Sequence, residues 1–146
     1  MQPAFISCIG DLRVKVSYLK TGKLVTIPIE DEDAVAKLAA QLLKDTGKDQ
    51  ALPGFELSDD DNKHGTLAAA VAPFGWALVH TSQDHLVQHC TQNSGVAEES
   101  IDVQWDEVTS IPKKWFIPQK QAMAGIRQWM QDGTLSPSVH WSDQCY

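Results

Sequence analysis

Residues 11–29 read DLRVKVSYLKTGKLVTIPI, and this stretch decides the fold class. Leu12, Val14, Val16 and Tyr18 alternate with Arg13, Lys15 and Ser17, which is the period of two that a half-buried strand requires. Lys20-Thr-Gly-Lys23 supplies a hairpin turn, with Gly22 free to take positive φ. Leu24–Ile29 returns as the second strand. Pro28 has no N–H to give to a ladder, so it belongs near the strand's end or on a sheet edge. Ahead of this hairpin, Met1–Ile9 is mildly apolar and stops at Gly10-Asp11. It has no basic leader, so it is read as a first strand or an ordered arm and not as a signal peptide.

Downstream, Asp31 is placed to N-cap a helix whose first turn carries Glu32 and Asp33 at the positive end of the dipole. Val35, Leu38, Ala39, Leu42 and Leu43 form one buried stripe, and Gly47 stands where a C′ glycine would end it. From Ala51 to Ile111 short apolar runs (Gly54–Leu57, Thr66–Val71, Trp76–His80, Leu86–Cys90, Ile101–Trp105) are separated by turn-formers such as Asp59-Asp-Asp-Asn62, Pro73, Gly75 and Asn93-Ser94-Gly95. Their spacing near ten residues predicts an antiparallel meander. Pro118 is expected at the first helical position, with Ile117 before it as a staple. Ala122, Ile126, Trp129 and Met130 then form the second helical stripe, closed by Gly133, and Ser136–Trp141 is read as extended. The expectation is one α+β domain over residues 1–146, an antiparallel sheet (hairpin plus meander) with two main helices, in the order β-β-α-β(4–6)-α-β.

The 146 residues carry 12 basic and 19 acidic side chains, a net charge of −7. That balance argues against a general nucleic-acid-binding surface, because phosphates would be repelled. The charge is uneven. Ala51–Ile111 holds ten acids and a single base, Lys63, whereas the rest of the chain is close to neutral. An acidic strand-and-loop region on a neutral frame suits a basic partner, and it equally suits a merely solvated surface. No apolar run approaches the ~18 residues of a membrane span. The three cysteines, Cys8, Cys90 and Cys145, are far apart and in no C-x-x-C pair. Neither a disulfide framework nor a zinc ribbon is indicated, and reduced thiols in a cytoplasm are the simplest account.

Three constellations could carry chemistry. His85-x-x-x-His89-Cys90 has the look of a metal cluster. On a strand, however, residues 85 and 89 stand ~13 Å apart, too far for one zinc with bonds near 2 Å. His89 and Cys90 would point to opposite faces, so they make no nucleophile–base pair, and no G-x-S-x-G or glycine-rich phosphate loop is present. The adjacent acids Glu98-Glu99 and Asp106-Glu107 are common on surfaces. The reading is therefore non-enzymatic, with no metal and no cofactor. Trp76 and Trp105, in the acidic region, are each read as core residue or interface anchor.

The last third carries a motif: Trp115-Phe-Ile-Pro118, a helix with Ala122, Ile126 and Trp129, then Gly133, and an ending of Ser136-Pro137, Val139 and Trp141. This resembles the C-terminal signature of the first-numbered family of immunity proteins in bacterial polymorphic-toxin systems. An I-P opening there precedes an alanine-bearing helix, a glycine and a Pro-x-Val-x-Trp ending. The resemblance covers roughly 27 residues and implies a small, cytoplasmic α+β protein that binds and neutralises a toxin encoded beside it. Such toxins are often nucleic-acid deaminases, including those acting on cytosine in double-stranded DNA. It implies no catalytic residues.

A toxin that works on nucleic acid needs a basic groove around its site. In zinc deaminases the target base enters a pocket where Zn²⁺ activates water. An inhibitor with negative loops can fill such a groove without chemistry of its own. The expected contact surface is therefore Asp59, Asp60, Asp61, Glu98, Glu99, Asp106 and Glu107, with Trp105 as an anchor. The alternative is an acidic DNA mimic or adaptor that occupies some other nucleic-acid-binding protein.

Overall fold

The computed structural model describes residues 13–93 and 99–145. Met1–Ile9 with Cys8, the Ser94-Gly95 pair and Glu98 lie outside the described residues. Strands β1 (Val14–Lys20) and β2 (Lys23–Ile29) form the expected hairpin. They pair from Val14↔Ile29 to Lys20↔Lys23, with Pro28 one residue from the end of an edge strand. Helix α1 (Glu32–Asp45) starts at Asp31, whose carboxylate accepts from the Ala34 N–H at 2.9 Å. Its end differs from expectation. Thr46 caps it in an extended conformation (φ −88°), donating its N–H to Leu43 O and its hydroxyl to Leu42 O, so no left-handed glycine is needed at Gly47.

Six strands of four or more residues follow: β3 (Leu52–Asp59), β4 (Thr66–Ala72), β5 (Gly75–Thr81), β6 (Gln88–Thr91), β7 (Ser100–Gln104) and β8 (Val108–Pro112). A 3₁₀ turn (Lys113–Trp115) leads into the two-residue β9 (Phe116–Ile117), then α2 (Gln119–Asp132) and β10 (Trp141–Ser142). The α+β class and the mostly antiparallel sheet are as expected. The main sheet runs β10-β6-β5-β4-β3-β1-β2, and β9 shares the outer edge of β5 with β6. One pairing departs from the meander: β7 meets β3 in parallel at Leu52↔Val103 and Pro53↔Gln104. Ile117, at the position before the cap, sits opposite Trp76 in the sheet and shares the buried core with Ala122 of α2. Pro118 is the N-cap of α2, one place earlier than expected, and its carbonyl accepts from Gln121 and Ala122. Gly133 ends α2 in the left-handed region (φ 76°), as the sequence suggests. Residues 136–139 form a turn, so only Trp141–Ser142 of the tail is strand.

The sheet separates two apolar layers, because side chains alternate along each strand. On one face Val14, Val16, Phe55, Leu57, Leu67, Ala69, Val71, Trp76 and Leu78 meet Val35 and Ala39 of α1 and Ala122, Ile126, Trp129 and Met130 of α2. Trp76 is core here, edge-on to Phe55 at 6.1 Å. On the other face Ala70, Ala72, Ala77 and Val79 are covered by Val103 and Ile111 of the β7–β8 hairpin and by Trp115 and Phe116. Alanine on this face lets a second β-layer approach closely. Among the described residues no helix is long and apolar enough to cross a membrane.

Candidate partner-binding surface

The fold sorts the predicted acids into three places. The first is the β3–β4 turn. Asp59 closes β3 and is buried (4% exposed), with Oδ2 3.2 Å from His64 Nδ1 and accepting from the Lys63 N–H at 3.3 Å. Burial works to raise its pKa, but the hydrogen bonds from His64 and the backbone overrule that and hold the carboxyl below its ordinary value. Asp59 is therefore a structural residue that pins the turn, and its burial takes it off the contact surface expected from the sequence. Asp60 and Asp61 remain exposed. The turn is rigidly held: His64 O accepts from Trp129 Nε1 at 3.3 Å and is 2.8 Å from His80 Nε2. Gly65 (φ 70°) packs its Cα against the Thr81 carbonyl with no room for a Cβ.

The second place is the tip of the β7–β8 hairpin, where Asp106 and Glu107 are exposed. Asp106 Oδ1 accepts from the Glu107 N–H at 2.9 Å, and the Trp105 N–H donates to Glu107 O at 3.1 Å. Trp105 is no free anchor. Its Nε1 donates to Ala69 O at 3.0 Å, and its ring lies so close to Gly54 that a Cβ there would come within 2.5 Å of Nε1. The indole fastens the hairpin to the sheet. Close to the tip is Glu56 on β3, an acid the sequence reading did not single out. Burial raises its pKa, the Asp106 charge raises it further, and His85 works in the opposite direction. Glu56 and Asp106 are 50 positions apart in the chain, so only the tertiary fold signals their proximity.

The third place is the base of the same hairpin. Glu99 is exposed but pairs with Lys113 Nζ at 3.4 Å, and Glu99 O accepts from the Lys113 N–H at 2.7 Å. Glu99 and the tip acids thus occupy opposite ends of the hairpin, and Asp106 and Glu107, like Asp60 and Asp61, take part in none of the ion pairs among the described residues.

Beside the tip runs an open groove of about 880 Å³. Tyr18 and Leu19 of β1, Leu38 and Leu42 of α1, Pro53 of β3 and Val108 of β8 give it apolar walls. Lys20, Gln41, Asp45, Gln50 and Gln104 add polar groups, one of them basic and one acidic. Gln104 and Val108 line the groove and flank the 105–107 tip, so Asp106 and Glu107 stand on its rim. Val108 is 56% exposed at the edge of the groove.

His85, His89 and Cys90 do not converge. His85 sits in the β5–β6 loop at φ 63°, His89 pairs across from His80, and Cys90 faces the hairpin-side core. No group of three or more His, Cys, Asp or Glu among the described residues is arranged to hold a metal ion. Compared with known proteins, the chain matches no family model and no curated protein.

Proposed function

We propose that this chain is an immunity protein that binds a cognate toxin domain acting on nucleic acid, a deaminase by the C-terminal resemblance, and blocks the toxin's basic substrate groove. The observation that carries this reading is the hairpin tip. Asp106 and Glu107 project from a tip fastened by Trp105, on the rim of an apolar groove. Negative charge steers a basic partner and selects it, while an apolar cleft supplies the desolvated contact from which most affinity comes. A groove built for phosphates is the surface such a rim complements. The chain's own chemistry is not called on, because occupation alone excludes the substrate. The contact acids are Asp106 and Glu107 first, Asp60 and Asp61 second, with Glu56 behind the tip.

The test is co-purification with the product of the adjacent gene, together with inhibition of that product's nucleic-acid modification. The wild-type chain is expected to inhibit at stoichiometric concentration. Asp106→Lys with Glu107→Lys is expected to weaken binding at least about tenfold, and Glu99→Lys to change it little. Equal affinity and equal salt dependence for all reversals would remove the electrostatic part. Turnover of a nucleic-acid substrate by the isolated chain would remove the whole reading.

A further inference from the structure

Cys90 and Cys145 are 55 positions apart in the chain, yet the fold brings their thiols to one carbonyl. Ser142 pairs with Cys90 across β10 and β6, and Cys90 Sγ donates to Ser142 O at 3.7 Å. The chain then bends, with the Gln144 N–H bound to Ser142 Oγ at 3.1 Å, and Cys145 Sγ returns to the same oxygen at 3.6 Å. Both residues are buried, at 0% and 6% exposure, in the apolar layer with Val79, Val103 and Trp115. Burial, then hydrogen bonding with Cys90, push the Cys145 thiol up to about 12, with Asp143 acting in the same direction. In the closed fold this thiol is inert. The element that closes it is short. Strand β10 has two residues, and its approach is held by Gln92 N–H to His140 O at 3.0 Å. Local opening of such an edge exposes both thiols together.

We propose that Cys90 and Cys145 form a reversible dithiol/disulfide site that, when oxidised, ties β10 covalently to β6. The oxidant is a small-molecule disulfide, RS–SR, of the oxidised-glutathione class. One protein thiolate attacks a sulfur of RS–SR, forming a mixed disulfide and expelling RS⁻. The second protein thiolate attacks the protein sulfur of that mixed disulfide, forming the Cys90–Cys145 bond and expelling the second RS⁻. The two thiol protons end on the two RSH formed, and two electrons pass from the cysteines to RS–SR. The bond closes a loop of 55 positions, which restricts the unfolded chain and raises Tm by roughly 5–10 °C.

The full chain and its Cys8→Ser variant are incubated with excess oxidised glutathione without denaturant, alkylated, digested and mapped by mass. The expected result is a Cys90–Cys145 linked peptide pair lighter by two hydrogens, reversed by dithiothreitol, with slower amide exchange over residues 141–145 and the higher Tm. In the Cys8→Ser background, Cys145→Ala is expected to leave no intramolecular bond. Free alkylation of both thiols after incubation overturns the proposal. So does a glutathione adduct that persists at either cysteine without closing, or linkage between chains. The mapping is made with both thiols present, so it does not depend on a core variant folding.

Discussion

Thr21 is held where a β-branched residue does not belong. The Lys20↔Lys23 pair leaves a two-residue loop, and Thr21 (φ 51°) and Gly22 (φ 80°) both take left-handed backbone. This is the mirror-image turn that suits strand twist and prefers Asn-Gly. Left-handed backbone costs an ordinary residue about 1–2 kcal/mol, and a β-branched one is the worst case. Thr21→Asn is expected to stabilise the chain by about 1 kcal/mol, read as a higher urea midpoint at unchanged slope. Asp59 gives a pH signature. Its folded pKa lies below the ordinary 3.8, so its stabilisation is complete above that value and is lost as the pH falls through the folded one. His80 is also depressed from its ordinary 6.5, by burial first and then by the His89 and His64 charges, against the opposing hydrogen bond with the His64 carbonyl. The unfolded chain therefore takes up that proton first, and stability begins to fall as the pH drops below about 6.5. Acid titration of unfolding is expected to show both windows. Asp59→Asn is expected to flatten the lower one and to cost about 1–2 kcal/mol at neutral pH, because it weakens the bonds from Lys63 and His64.

The β7–β8 hairpin rests on one contact that can be isolated. Gly54 on β3 has no Cβ, and Trp105 fills that space while its Nε1 donates to Ala69 O. Gly54→Ala is expected to destabilise by about 2 kcal/mol through overpacking, and Trp105→Ala by about 3 kcal/mol through the lost ring. In the Trp105→Ala background, Gly54→Ala is expected to cost less than about 0.5 kcal/mol, since the clash has gone. A double-mutant cycle of chemical unfolding measures this coupling, and additive costs would show that the ring does not fasten the tip. The helices were legible from chemistry that acts locally: Asp31 at one N-terminus, Gly133 at one C-terminus, and apolar stripes, that of α2 buried and that of α1 buried at Val35 and Ala39 but half-open at Leu38, Leu42 and Leu43. Only half of the β7–β8 hairpin was: the Ile101–Trp105 run anticipates β7, but β8 does not announce itself. Val108–Pro112 is too short and too mixed to show alternation, and it becomes a strand only by pairing with β7. Leu86 and Val87 show the reverse error. They look like strand, yet Ser82 and Asp84 hold them in a loop, where Leu86 N–H donates to Asp84 Oδ1 at 3.0 Å and Leu86 is 82% exposed.

A run of acids in sequence reports how much charge there is, not where it acts. Of the ten acids between Ala51 and Ile111, the fold makes Asp59 a buried pin, neutralises Glu99 with Lys113, and leaves Asp106 and Glu107 as an unpaired tip beside Glu56. The groove beside the tip is drawn from β1, α1, β3 and β8, so no local pattern could announce it. This division separates two roles in binding that the kinetics can resolve. Charges on a rim act mainly on encounter and are screened beyond about 8–10 Å at physiological salt, whereas apolar contacts in a cleft act on dissociation. For the complex with the adjacent gene's product, Asp106→Lys with Glu107→Lys is expected to lower the association rate about tenfold or more at low ionic strength. The dissociation rate should change by less than about threefold, and the deficit should fade as salt is added. Val108→Asp, which puts a charge on the groove wall, is expected to do the opposite: a dissociation rate faster by about tenfold or more with association nearly unchanged. The pair Asp60→Lys with Asp61→Lys places the third side of the contact. A loss equal to that of the tip reversal means that the partner spans the sheet from groove to turn. Wild-type rates confine it to the groove and its rim.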